Sequence, residues 1–452
     1  MPDLSIEAWQ TETGLEIQFR GTVYKISYPD SLWRNYPREM RDILFDNLVY
    51  TETRHLPLVF KEKGIVYNTS APLFQPFFTQ NLMMDFPSCA DVDGTKTSNL
   101  LKDYMNTEVR FKDYMIKMPR NIEDTKEDSS VVSLSFGKDS LCAWAVAREI
   151  GINPQTCYIV EPSLTYEEKH KTVLAEQFHK EFGIKLNKIE HSAGNLRDGV
   201  HLGVGKTEIG WSLQSTQYGL LLLPVAHNFR ARYIIFGNEQ SCREYYYDPE
   251  GYICYPAYDQ SHIWTVYIDA MTRQLTGGQV RVMSTIEPLN DIAVVYVLNK
   301  RYPEVAKYHM SCFVETEAGR DKRWCQECSV CSKMYLLLVA SGFDPKRVGL
   351  DRNMLTKDCK EYFTILGGKS VQTYSLTGLG RDEQLFGFYL AWKHGNRSDL
   401  VREFEKRFLD EAKEREDELY KTFFGIHESI TMPPEIKNRV LSIYREALSD
   451  LP

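Results

Sequence analysis

Residues Val131 to Gly151 read VVSLSFGKDSLCAWAVAREIG. The β-rich apolar run Val131 to Ser135 predicts a short strand. From Leu141 the apolar residues fall at helical spacing, and Gly151 supplies a common helix stop. SFGKDS (Ser135 to Ser140) is therefore a strand-to-helix turn. The same alternation continues downstream. Strands are predicted at Thr156 to Val160, Leu186 to His191 and Ala231 to Glu239, and helices at Glu167 to Gly183 and Ser212 to Phe229. The pattern predicts an α/β fold with a parallel, doubly wound sheet, whose ligands bind beyond the carboxyl ends of the strands.

Working outward, residues 1–127 read as an α+β N-terminal domain. Leu15 to Tyr28 alternates like two short strands around Gly21, a mixed segment with several prolines follows, and the charged stretch Asn121 to Ser130 reads as a solvated linker. Residues 128–343 are the predicted parallel α/β domain with the cysteine element, and residues 344–452 a helical C-terminal region. In the latter, Val401, Phe404, Phe408, Ala412 and Leu419 fall near one face of a charged helix, a packing stripe to which no chemistry is assigned.

The chain has 452 residues, 43% of them hydrophobic, which excludes extensive disorder. Its 54 Lys and Arg against 62 Asp and Glu leave a net charge of −8, so coating of a nucleic-acid backbone is not expected. The first residues show neither a basic n-region nor an apolar h-region, and the most apolar stretch, Leu220 to Ala226, is too short for a membrane span. A soluble cytoplasmic protein with no membrane partner is expected. Ten cysteines in such a chain do not suggest a disulfide framework, but four lie between Cys312 and Cys331.

The Ser135–Ser140 turn has the chemistry of a phosphate site. A helix N-terminus offers unpaired N–H groups and the positive end of its dipole. Gly137 allows close backbone approach, Ser135 and Ser140 offer hydroxyls, Lys138 supplies charge and Asp139 can hold Mg²⁺. The plain alternative is an ordinary turn in which Asp139 and Ser140 cap the helix. A second glycine-rich stretch, GVHLGVGKT (Gly199 to Thr207), imitates a Walker loop but has five residues between Gly199 and Gly205 where that motif needs four. It reads as a loop, with Lys206 as a weak substrate contact.

Cys325, Cys328 and Cys331 form C-x2-C-x2-C, with Cys312 upstream. Four soft ligands at such spacing suit tetrahedral Zn²⁺ in a closed, structural site. An iron–sulfur cluster competes, but the ferredoxin run continues to a further cysteine and proline, where this chain has Lys333 and Met334.

The Ser135–Ser140 segment resembles the SGGxDS loop of the PP-loop ATP pyrophosphatases, with Phe136 in place of the first glycine. Over residues 130–345 the chain resembles the UDP-N-acetylmuramoyl-L-alanyl-L-glutamate epimerases, and more distantly the 7-cyano-7-deazaguanine synthases. GKDSL (Gly137 to Leu141), FGNEQS (Phe236 to Ser241), Glu287-Pro288-Leu289 and RWCQECSVC (Arg323 to Cys331) carry the likeness. The resemblance implies a HUP-like fold that binds ATP and Mg²⁺ at Ser135, Phe136, Gly137, Lys138, Asp139, Ser140, Val160, Gly237 and Asn238. It implies adenylylation of a small carboxylate substrate of the UDP-linked peptide kind, with release of pyrophosphate and AMP, and epimerisation of a terminal glutamate in peptidoglycan synthesis. A deazaguanine-type ligase, a tRNA sulfur transferase and a nucleotide sensor stay open beside it.

The candidate catalytic residues are Asp139, Glu239, Asp259 and His262. Glu239 follows a predicted strand on the ligand side, and its plain reading is a helix start. Asp259 and His262 follow a tyrosine-rich stretch, Tyr245 to Tyr258, that reads either as a substrate-stacking surface or as a hairpin. Cys242 and Cys254 are weaker proton-shuttle candidates.

Overall fold

Val131 and Val132 sit side by side at the centre of the molecule, face opposite ways, and are both fully buried. Val131 joins a core with Ile159, Ile189 and Ile234, and Val132 joins another with Trp144, Ile235 and Met283. A strand apolar on both faces must be covered on both faces, as parallel sheets are. The computed structural model describes residues 3–119, 124–161, 165–313, 317–369 and 373–451.

The strands are β1 (Leu4–Gln10), β2 (Gly14–Phe19), β3 (Thr22–Ser27), β4 (Gly64–Ser70), β5 (Glu108–Asp113), β6 (Lys126–Ser133), β7 (Pro154–Val160), β8 (Leu186–His191), β9 (Ala231–Phe236), β10 (Tyr246–Tyr247), β11 (Ile253–Cys254) and β12 (Arg281–Ser284). Ten of them form one sheet in the order β12-β9-β6-β7-β8-β3-β2-β1-β4-β5. From β12 to β8 all neighbours are parallel, with Val131 opposite Ile234 and Ser284 opposite Phe236. The antiparallel pair β3–β8 joins this half to the N-terminal strands, so the sheet is continuous across residue 127. No helix among the described residues is long and apolar enough to cross a membrane.

The predicted elements are present, with three differences. Residues 121–123 of the expected linker lie outside the described residues, but Lys126 to Ser130 belong to β6. That polar run can enter a sheet because its hydroxyls find partners: Ser129 donates to the Phe229 carbonyl and Ser130 to the Ile152 carbonyl at 2.9 Å. The helix expected over Ser212 to Phe229 is two, Gln214–Leu221 and Leu223–Phe229, the second opening with Pro224 in its first turn. The charged C-terminal helix is also two, Asp399–Glu414 and Glu416–Phe423.

A buried ionic joint ties the N-terminal half to the carboxyl ends of β7 and β8. His191 lies between Glu52 of the helix Arg38–Thr53, at 2.9 Å, and Glu161, at 3.1 Å. Arg197 donates to both Glu161 oxygens at 2.8 Å, and the Tyr218 hydroxyl adds a third donor at 2.7 Å. Burial pushes the His191 pKa down, but Glu52 and Glu161 outweigh it and hold the ring up at about 9.

Candidate functional site

Gly237, just past β9, fixes how tightly the site is drawn together. A Cβ there would stand 2.8 Å from the Asp139 Cβ and 3.0 Å from the Ser140 nitrogen. The strand end thus packs directly on the first turn of the helix Lys138–Glu149, and only glycine permits it. Phe136 has φ +62°, a left-handed conformation unusual for a bulky residue. This turns its ring away from the mouth of the loop and into the core, edge-on to Phe178 at 5.8 Å. The large residue therefore does not plug the turn.

Within the turn, Ser140 is used internally. Its hydroxyl donates to the Gly137 carbonyl at 3.2 Å and accepts the Ser135 N–H at 3.2 Å. Ser140 thus ties the turn together from within and does not cap the helix, whose N-cap position is Gly137. Ser135 is exposed, and Gly137 and Asp139 are partly so.

The charged groups of the site form an alternating buried array. The Lys138 ammonium lies 2.5 Å from Asp139 and also contacts Asp291, the first residue of the helix Asp291–Arg301. Asp291 is bridged to Lys333 of the helix Ser329–Ala340, and Lys333 in turn lies 3.1 Å from Glu383 of the helix Gly378–Lys393. The Tyr374 ring lies under the Lys333 ammonium at 4.5 Å. Glu239 adjoins the array and accepts the Ser241 N–H at 2.7 Å.

The acids respond in opposite directions. Burial pushes Asp291 up, but Lys138 and Lys333 outweigh it and hold the carboxyl well below the usual range. Burial and the neighbouring Asp291 raise Glu239 to about 8. Burial raises Glu383 to about 7, and raises Asp139 against the pull of Lys138. Lys138 is held well above its ordinary value by Asp139 and Asp291, despite burial. Counted fully ionised, four acids against two ammonium groups leave two negative charges over; burial is the main cause of the three raised carboxyls, and the neighbouring acids add to it.

The remaining predicted residues stand apart from the array. Asp259 accepts the Ser215 N–H at 2.8 Å and so caps the helix Gln214–Leu221, while burial raises it to about 7. His262 opens the helix His262–Leu275, its pKa lowered by burial and by Arg243. Asn238 is buried and donates to Thr265 at 2.9 Å, and Val160 is a buried strand end. The tyrosine-rich stretch forms the small hairpin β10–β11, with Tyr245 and Tyr247 exposed. Asp291, Lys333 and Glu383 are members of the array that sequence reasoning missed. Only Asp291 carried a local signal, because Asn290-Asp291 opens a helix shortly after β12, as Lys138-Asp139 does after β6.

The cysteine cluster is separate and compact. The Sγ atoms of Cys312, Cys325, Cys328 and Cys331 all lie within 4.8 Å of one another, and among the described residues no other group of metal-binding side chains converges so. Two of the separations are 3.5 and 3.7 Å. A tetrahedron with metal–sulfur bonds of about 2.3 Å needs sulfurs about 3.8 Å apart, so the set fits a single ion. A cluster core spreads its thiolates over several irons and fits it less well.

No protein family matches the chain. The chain is 25% identical over 167 residues to flap endonuclease 1 of Kluyveromyces lactis. The shared stretch covers 36% of this chain and spans about two-fifths, 41%, of that relative's length. This finding corrects the expectation drawn from the short motifs. The similarity runs to a nuclease and not to a PP-loop ATP pyrophosphatase, so that membership is not retained. The ATP-dependent adenylylation of a carboxylate, the glutamate epimerisation and the role in peptidoglycan synthesis fall with it. ATP as a cofactor is likewise unsupported. The structure supplies a physical reason for caution about such motifs: Ser140 closes the turn on itself, and Lys138 is engaged by two carboxylates.

Proposed function

We propose that the chain is a divalent-cation-dependent phosphoesterase, and that its site lies at the carboxyl ends of β6, β9 and β12. One observation carries the reading: four acids, Asp139, Glu239, Asp291 and Glu383, converge on only two ammonium groups, Lys138 and Lys333, and two of those acids are held up at about 8 and about 7 until a further cation draws them toward their ionised forms. Fully ionised, the four acids would leave two negative charges over, the charge of one divalent cation. Oxygen-rich acid sites suit Mg²⁺, and Asp139 and Glu239 are the residues offered to hold it, since Asp291 is already bridged by both lysines. When bound, the cation would neutralise charge developing on phosphate oxygens. The similarity to an endonuclease favours a phosphodiester.

In the proposed step a water oxygen bonds to phosphorus and the P–O bond to the leaving alcohol breaks. The water proton passes to the Glu239 carboxylate, and the leaving oxygen takes a proton from solvent. Burial and Asp291 hold the Glu239 carboxyl up at about 8, and a bound cation would draw it down, so the rate should rise with pH through a value below about 8. The acidic net charge favours a small phosphodiester or a free strand end over a long duplex tract. We further propose that the four cysteines hold Zn²⁺, with a structural role.

The test is cleavage of a flapped DNA oligonucleotide and of a chromogenic phosphodiester, with Mg²⁺ or Mn²⁺ and with chelator. Metal-dependent release that falls at least about 100-fold in Asp139→Asn supports the reading. No cleavage of either substrate, or an Asp139→Asn protein as active as the parent, ends it.

A further inference from the structure

The ten-stranded sheet ends in two edges, β12 and β5, and the chain treats them differently. At β12, side chains cover the outer backbone: Asp269 accepts the Val282 N–H at 2.7 Å and Thr431 accepts the Ser284 N–H at 3.1 Å. At the other end, β5 pairs with β4 alone. The Glu108 N–H points inward, to the Lys63 carbonyl at 2.8 Å. By the alternation of a strand, the backbone groups of Val109 and Phe111 therefore point outward. The Phe111 N–H donates to the Tyr114 hydroxyl at 3.3 Å, an exposed side chain that holds the place of a neighbouring strand. An open edge of this kind is a template for pairing.

The sequence of β5, Glu-Val-Arg-Phe-Lys-Asp, says which strand fits it. Val109 and Phe111 face the core, where the Phe111 ring stacks on Tyr67 at 5.1 Å. Glu108, Arg110 and Lys112 are exposed on the other face. Residues opposite each other in an antiparallel pair share a face, so a second copy can pair only in registers that set apolar against apolar. The register centred on Arg110 sets Val109 opposite Phe111 of the second copy and Glu108 opposite its Lys112, and the two-fold repeats both contacts. Arg110 meets its own copy at the axis, but each is already paired with Asp3. The register centred on Phe111 sets Arg110 against Lys112, and that centred on Val109 leaves Phe111 and Lys112 beyond the paired strands. The favoured register also carries the exposed Met105, which ends the helix Thr97–Met105, toward the exposed Tyr114 and Met115 of the second copy.

We propose that β5 is a self-pairing edge, through which two copies of this chain join antiparallel, about a two-fold axis at Arg110, into one continuous sheet. An edge protected from pairing carries charges that repel its own copy, whereas the charges of β5 attract it. The apolar face of the sheet continues across the axis through Val109 and Phe111, and the exposed methionines beside the strand gain cover. Because β5 lies at the opposite end of the sheet from β12, β9 and β6, the pairing does not depend on the phosphoesterase reading.

The experiment is sedimentation of the full chain at low salt, from micromolar to near-millimolar concentration. The parent is expected to pass from monomer to dimer. Glu108→Lys, and separately Lys112→Glu, turn both attractive cross-strand pairs into repulsive ones and should weaken dimerisation about tenfold. Both positions are exposed in the single chain, so the melting temperature of the dilute variants should match the parent's. An equimolar mixture of the two variants should recover association, because each then meets the opposite charge across the axis, and a strand that merely tolerates surface charge would not show this. A parent that stays monomeric throughout leaves the edge to some other partner and overturns the proposal. A dimer with an unaltered constant in both reversals, or a mixture that associates no better than either variant alone, overturns it as well.

Discussion

Phe136 combines two opposed energies, and substitution can separate them. Its left-handed backbone costs a non-glycine residue about 1–2 kcal/mol, while its fully buried ring packs against Phe178 and Tyr158. Phe136→Ala removes the ring and keeps the strain, and truncation of a core phenylalanine costs about 3–5 kcal/mol. Phe136→Gly removes the ring and the strain together, but glycine returns about 0.5–1 kcal/mol as extra freedom of the unfolded chain. The glycine variant should therefore be the more stable of the two by roughly 0.5–1 kcal/mol, with both well below the parent. In an ordinary strand or helix the order is the opposite. The assay is urea unfolding of the three full-length proteins, compared by midpoint at equal slope. An alanine variant equal to or more stable than the glycine variant would refute the left-handed turn. Two variants as stable as the parent would show that the ring is not in the core.

Three further outcomes are expected. The elevated His191 pKa stabilises the fold fully below about pH 6.5, and that contribution, about 3 kcal/mol at most, should be lost as pH rises through about 9; thermal melts across pH 6–10 should lose this dependence in His191→Gln. Gly237→Ala should destabilise by about 1–3 kcal/mol, because its Cβ meets the Ser140 backbone nitrogen at 3.0 Å, and a melting curve matching the parent's would contradict that packing. Cys328→Ser should lower bound zinc below one ion per chain by elemental analysis, and full retention would remove Cys328 from the ligand set.

The parallel sheet was readable because each strand–helix change is written locally: a β-rich run, a turn, helical spacing, then Gly151 or Gly183 in the left-handed conformation that ends a helix. The start of β6 was hidden because Ser129 and Ser130 look like linker residues, and only the carbonyls that receive their hydroxyls make them sheet residues. The charge array was largely hidden for a similar reason. Lys333 lies 42 residues from Asp291 and is mid-helix, where lysine ordinarily points to water. Glu383 is fifty residues further on in another helix, and nothing local marks either as buried.

The misdirection by short motifs has a physical cause as well. Any tight strand-to-helix turn needs a residue that admits close approach and a hydroxyl or carboxylate to cap the first turn, so glycine, serine and aspartate recur there whatever is bound. Here Gly137 takes the N-cap position of the helix, and Ser140 ties the turn together from within. What distinguishes this site lies elsewhere in the chain. Asp291 joins Lys138 to Lys333. The four-cysteine set lies next in sequence to the helix that carries Lys333, while a different cysteine, Cys242, stands 3.7 Å from the Glu239 carboxylate of the array. Chemistry at this edge of the sheet therefore depends on contacts between residues far apart in sequence, which is why a six-residue turn could not identify it.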